Sequence, residues 1–272
     1  MSEQKTAQVR VELAGLAIDF VTSDVRSARL CSSRYRAFAS SATRAADLTI
    51  DLTIGSSAEL APHADASDLR VEDSGALFSF SRADYVGTLD LDSLHARVGC
   101  ARKEYSLNSC VRVLCAVSLA KRGGFLVHAA SVERNGQAYL FPGKSGAGKT
   151  TIARLSTDGR VLSDEISAIR RVGSQFHCFS TPFWGDLVPT REENLSAPVA
   201  GVFFPVQATQ AKRTRLTPAQ AASQLLESIV LFGANPALTE NVLETACDFA
   251  HATDSALLHF RPDPSFWSCI GA

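Results

Sequence analysis

No window of the 272-residue chain approaches the roughly 20 uninterrupted apolar residues that a membrane-spanning helix needs. The opening residues, MSEQKTAQVR, lack the basic and then apolar order of a secretory signal. The expectation is therefore a soluble cytoplasmic protein with no membrane partner. Positive charge is not in excess either: 27 Lys and Arg stand against 28 Asp and Glu, a formal net charge of -1. Such a balance leaves no electrostatic footprint for nucleic acid. The one basic run, KRTR at Lys212 to Arg215, reads as a solvated loop. The cysteines number seven, an odd count, and none has C-x-x-C spacing, which argues against a zinc site and against a disulfide framework. Cys110 and Cys115 instead read as thiols packed in a helix. An [NT]-K-x-D guanine-reading motif is absent as well, which disfavours a GTPase switch. What the chain does have is enough apolar residues, 46%, to bury a substantial core in one large domain or two small ones.

From Val9 to about Leu91, short apolar runs alternate with polar turns, and the sequence predicts a β-rich N-terminal region over residues 1–105. Within it, DLTIDLTI places Leu48, Ile50, Leu52 and Ile54 on one face of a strand. Apolar residues at helical spacing then predict a helix from about Ser106 to Arg122, stopped by glycine. The next segment, GFLVHAASVERNGQAYLF, reads as two strands joined by an Asn-Gly hairpin turn. Further strands are expected in VLSDEISAIRRV, GVFF and ALLHFRP. Two C-terminal helices follow the same design: Thr217 caps one that begins at Pro218 and closes at Gly233, and Asn235 and Pro236 open the other.

The stretch LFPGKSGAGKTTIARL, Leu140 to Leu155, carries the strongest chemical signal. Gly143 to Thr150 matches G-x-x-x-x-G-K-[ST]. Glycines without Cβ let successive backbone N–H groups converge on an anion, so Gly143, Lys144, Ser145, Gly146, Ala147, Gly148, Lys149, Thr150 and the following Thr151 are read as nucleotide-binding. Lys149 adds a charge for the outer phosphates, and the Thr150 hydroxyl is a hard oxygen ligand for magnesium. The strand AYLF precedes the loop and the helix TTIARL follows it, as the motif requires. The rival reading is a glycine-rich turn with a solvated lysine.

Only 14 residues separate Lys149 from Asp164, which implies a compact variant of the phosphate-loop fold. Asp164 and Glu165 interrupt an apolar strand, where carboxylates are costly without a partner. Phosphoryl transfer to a hydroxyl needs a group to take its proton, and Asp164 is the candidate. A polar pair at a frayed strand end is the alternative. His128 lies on the strand before the loop strand; taken alone, a histidine there is more often a hydrogen-bonded core residue than a catalyst. STPFWGD, Ser180 to Asp186, shapes either a pocket edge or a packed aromatic cluster. Arg191 is the candidate for an additional phosphate-directed cation.

The succession LVHAASVERNGQAYLFPGKSGAGKTT, VLSDE, STPFWGD and LHFRPDPSFW resembles the kinases related to bacterial HPr kinase/phosphorylase. Within them it resembles the shorter relatives of peptide natural-product clusters, including the tailoring kinases of lasso peptides. The resemblance spans roughly Gly124 to Trp267. It implies that Asp164 is the catalytic aspartate, that His128 lies near it and tunes its protonation, and that Glu165 helps Thr150 hold magnesium. Two departures stand out: Glu165 occupies a place usually filled by a second aspartate, and the downstream arginine-bearing glycine-rich signature is missing. Both disfavour HPr itself as the acceptor and a reverse phosphorylase reaction.

The expected fold is α/β, a compact P-loop kinase core of the HPr kinase type over residues 106–272, with the β-rich part before it as a substrate-reading region. The expected function is ATP- and Mg2+-dependent transfer of the γ-phosphoryl group to a serine of a peptide or small protein, in the manner of a peptide-tailoring enzyme. Catalysis would rest on Asp164, His128 and Lys149. A sugar or amino-acid kinase, and a nucleotide-binding regulatory protein with little catalysis, remain the alternatives. Self-association into a homo-oligomer is left open.

Overall fold

A computed structural model of the chain describes residues 6–55, 68–187, 192–233 and 235–271. It is a mixed α/β structure with two sheets and a few helices, and it divides into two compact units: Met1–Ser118 with Phe232–Pro236, and Leu119–Leu231 with Ala237–Ala272.

The first unit holds a seven-stranded sheet of β1 (Ala7–Leu13), β2 (Leu16–Thr22), β3 (Leu48–Gly55), β4 (Arg70–Asp73), β5 (Leu77–Arg82), β6 (Tyr85–Asp90) and β7 (His95–Ala101), in the order β1-β2-β3-β7-β6-β5-β4. β3 runs parallel to both β2 and β7, and the other pairings are antiparallel. Period-two alternation does in β3 what it predicts: Leu48, Ile50 and Leu52 are buried, with Ile54 partly covered on the same face. The strand-only reading of this region missed α1 (Val25–Arg34). Its signal is local, because the Asp24 side chain accepts from the Arg26 and Ser27 N–H groups as an N-cap. Only Ser27 and Cys31 of this helix are buried, so its sequence carries almost no apolar stripe. α2 spans Glu104–Ala120, two residues N-terminal to the expected limits at each end, and buries Cys110 and Cys115.

The second unit is built on an eight-stranded sheet. β8 (Gly124–Arg134) and β9 (Gln137–Pro142) form the expected hairpin, with Asn135 at φ 54° and Gly136 at φ 78° in the turn. β10 (Arg160–Ser163), β11 (Ile166–Val172), β12 (Gln175–Phe179), β13 (Ser196–Gln207), β14 (Lys212–Arg215) and β15 (Asp254–Phe260) complete it. β8 changes partners half-way along. Gly124–His128 pairs with β11, whereas Ala129–Arg134 pairs with β9 and, from Ser131 to Glu133, also with β10. β13 does the same, leaving β12 for β9 and β15, to which it runs parallel. Neighbouring strands therefore close a circuit through β8, β11, β12, β13 and β9, and the middle of β8 meets the C-terminal end of β9 where the loop begins, Ala129 opposite Pro142.

α3 (Lys149–Leu155) packs on β8 and β9. Beneath it lies an aromatic core: Phe141 stands edge-on to Phe266 and Trp267, and Phe203 and Phe260 fill the same cluster around Ile152. α5 (Pro236–Ala252) seats Phe249 edge-on against Phe125 and Phe176, and α6 (Phe266–Ile270) closes the unit.

Two expectations need correction here. KRTR is an edge strand rather than a loop: β14 pairs antiparallel with β15, and Arg213 bonds Asp254. α4 (Pro218–Leu226) has the expected Thr217 cap, completed by Gln220 as a capping box, but ends well before Gly233. The Val230 N–H donates to the Leu126 carbonyl and Ile229 bridges Val127, so pairing to β8 outcompetes helix continuation over Glu227–Val230. Among the described residues, no helix is long and apolar enough to cross a membrane.

Candidate active site

β9 delivers the chain to Pro142, and Gly143–Gly148 turns it into α3. Gly146 (φ 80°) and Gly148 (φ 101°) take the left-handed conformation that side chains resist. At Gly148 space matters too, since a Cβ there would lie 2.4 Å from the Phe260 ring. The loop is braced from within by the Ala147 N–H on the Lys144 carbonyl (3.2 Å) and from β13 by Gln207, whose amide donates to the Gly146 carbonyl (2.8 Å). The Lys149 ammonium donates to the carbonyls of Gly143 (2.8 Å) and Lys144 (2.9 Å). Burial lowers its pKa from the ordinary 10.5, while the charges of Glu165 and Asp164 pull it back up, so both carboxylates act on the loop lysine.

The acids occupy a bend between β10 and β11, where the Ser163 hydroxyl accepts from the N–H groups of Glu165 and Ile166 and fixes the turn. Asp164 is 2% exposed. Its two oxygens each accept one backbone N–H, from Gly185 at 2.9 Å and from Leu187 at 2.9 Å. His128 stands at the point where β8 changes partners. Its N–H donates to the Ser228 carbonyl (2.7 Å), its carbonyl accepts from the Gly143 N–H (3.2 Å), and the neighbouring Ala129 N–H donates to the Glu165 carbonyl (3.0 Å). One short piece of β8 thus ties together the loop, the acid pair and the segment after α4, and leaves the His128 side chain exposed.

These groups line one cleft of about 640 Å³: His128, Asp164, Glu165, Lys149, Thr150 and Thr151 share it with Gly143, Lys144, Ser145, Gly146 and Gly148. Of the residues expected to hold nucleotide, Ala147 alone does not line it. Gly185, Asp186, Gln207, Glu227 and Ser228 also form its walls. The first two belong to the STPFWGD segment, for which a pocket edge and aromatic packing are both realised, since Phe183 is buried. Gln207, Glu227 and Ser228 carry no local signal, because strand pairing brings them in. The Lys144 ammonium reaches the Glu227 carboxylate at 2.9 Å across the rim. Arg191 lies outside the described residues. No group of three or more His, Cys, Asp or Glu among the described residues is arranged to hold a metal by itself. A magnesium ion does not need one, since it is held through one or two protein oxygens together with phosphates and water.

A protein-family model described as SynChlorMet cassette protein ScmC matches residues 102–271, more than half of the chain. The chain belongs to that family. No curated protein matches it. The matched residues contain all of the cleft just described, from His128 to Ser228.

Proposed function

We propose that the chain is an ATP-dependent kinase that transfers the γ-phosphoryl group to a serine hydroxyl of a peptide or small protein. The observation that carries this reading is the meeting of a complete G-x-x-x-x-G-K-T loop with a buried, doubly hydrogen-bonded aspartate in one cleft. The similarity to the HPr kinase/phosphorylase-related kinases, and to their peptide-tailoring members, supports it. The family's description as a cassette protein is compatible with an enzyme that works alongside others on a shared product.

The residues present suit a nucleotide. The left-handed Gly146 has open space where a Cβ would stand, which leaves room for phosphate oxygens, while Gly148 keeps the loop against the Phe260 ring; Lys149, now on loop carbonyls, exchanges them for the outer phosphates. Thr150 and Glu165 offer oxygen ligands for magnesium, which would neutralise charge on the phosphates when bound. Asp164, oriented by the Gly185 and Leu187 amides, takes the acceptor proton as the new oxygen–phosphorus bond forms and the bond from the γ-phosphorus to the bridging oxygen breaks, leaving ADP. Lys149 and the loop amides stabilise the charge that gathers on that leaving oxygen.

The deciding experiment incubates the protein with Mg2+, ATP and a panel of serine-containing peptides, some ending in serine, and follows intact mass beside an Asp164→Asn variant. The expected outcome is one added phosphoryl group on particular peptides, with the rate falling about 10²- to 10⁴-fold in the variant. Asn also turns a donor toward one of the two amides, so a melting curve must show that the variant is folded. Binding of ATP with no peptide modified would defeat the peptide reading and favour a small-molecule acceptor.

A further inference from the structure

We infer that Ser180–Leu187 is a positioning strap for the carboxylate of Asp164, and that Thr181 is the residue that pins it. At its base the strap is anchored twice. The Ser180 N–H donates to the Leu195 carbonyl (2.9 Å), while its hydroxyl donates to the Glu193 carbonyl and accepts from the Leu195 N–H, each at 2.8 Å. Thr181, 2% exposed, donates its hydroxyl to the carbonyl of Ile166 at 2.5 Å and accepts from the Phe183 N–H at 3.4 Å. Ile166 is the first residue of β11, one position beyond the acid pair, so the pin sits on the same backbone that carries Asp164 and Glu165.

From that anchor the strap returns to the acids. Each Asp164 oxygen accepts one strap amide, and Gly185 lies so close that a Cβ on it would stand 3.2 Å from the Glu165 Cβ and 3.3 Å from an Asp164 oxygen. The direction in which Asp164 presents its oxygens is therefore set by the strap rather than by the bend at residues 164–165. Thr181 does not line the cleft and acts only through this peptide segment. Its effect on turnover rests on the kinase reading above, whereas its effect on the strap does not.

The test compares Thr181→Val, which keeps the shape and removes the hydroxyl, with Thr181→Ser, which keeps the hydroxyl. Backbone amide exchange at Gly185 and Leu187 is read by NMR, and turnover by phosphate transfer. In Thr181→Val both amides should exchange about tenfold faster, as expected on loosening a hydrogen-bonded segment. The value of kcat should fall about 10- to 100-fold, the usual effect of losing a group that orients a reacting side chain, with KM for ATP within about twofold. Thr181→Ser should restore both. Gly185→Ala perturbs the strap from its far end, and should release the Leu187 amide even if the valine variant folds poorly. Unchanged amide protection in a folded Thr181→Val, or full kcat despite lost protection, would overturn the inference. So would a parallel loss of ATP affinity, which marks a merely structural role. Lost protection in a protein whose wild type transfers no phosphate leaves the strap standing and removes the kinase reading.

Discussion

Lys149 is the residue at which charge, burial and ligand meet most directly. Its ammonium, partly buried on two loop carbonyls, has a pKa lowered by desolvation. A bound triphosphate brings negative charge and favours the protonated form, so the pKa is higher in the complex than in the free protein. Binding therefore takes up a proton between those two values. On the proposed function, affinity for ATP should be full below the free protein's pKa and should decline as pH rises through it, before the ordinary lysine value of 10.5 is reached. Calorimetric titration across alkaline pH should show this decline. Lys149→Arg, which stays charged, should abolish the pH dependence, and Lys149→Ala should weaken binding at every pH. An affinity that stays flat in the native protein up to 10.5 would remove Lys149 from the phosphate site.

At the scale of elements, the β8–β9 hairpin is the device that presents the loop. Asn135 and Gly136 both adopt positive φ, the geometry of a two-residue turn whose twist suits its strands, and the dipeptide makes this turn readable in sequence. A Cβ at Gly136 would have no neighbour within 4 Å, so Gly136→Ala costs only the left-handed backbone, about 1 kcal/mol. Denaturant unfolding should record that loss, while kcat stays within about twofold because the register of β9 is held along its length by β8 and β13. A large fall in kcat would mean that the turn itself sets the loop geometry. Other elements were less readable. α1 announces itself only through the Asp24 cap, and Glu227–Val230 has apolar residues that suit a helix until β8 supplies strand partners.

At the scale of the whole molecule, everything assigned to phosphate chemistry lies in the unit comprising Leu119–Leu231 and Ala237–Ala272. Ligand binding stabilises a native state in proportion to the logarithm of saturation, by about 2.7 kcal/mol at one hundred times Kd. Mg2+ with ATP should therefore raise the melting transition of the eight-stranded sheet, and Lys149→Ala should cancel most of the shift. No shift with the native protein at millimolar ATP would argue against a nucleotide site.

The sequence by itself determined what short-range chemistry encodes: the glycine-rich loop from Gly143 to Thr150, the hairpin before it, the capped start of α4, the start of α5 at Pro236, and the close spacing of Asp164 to the loop. Each follows from residue type and spacing over a few positions. Tertiary structure decided what depends on pairing between distant strands. His128 meets the loop and the acids because β8 changes partners at that residue, Gln207 reaches Gly146 from the end of β13, and Glu227 and Ser228 reach the cleft because the chain leaves its helix to pair with β8. The two amides on Asp164 come from residues 185 and 187, more than twenty positions along the chain. Backbone groups carry no residue-specific signature, so a carboxylate gripped by amides can be recognised only once the fold has brought them together.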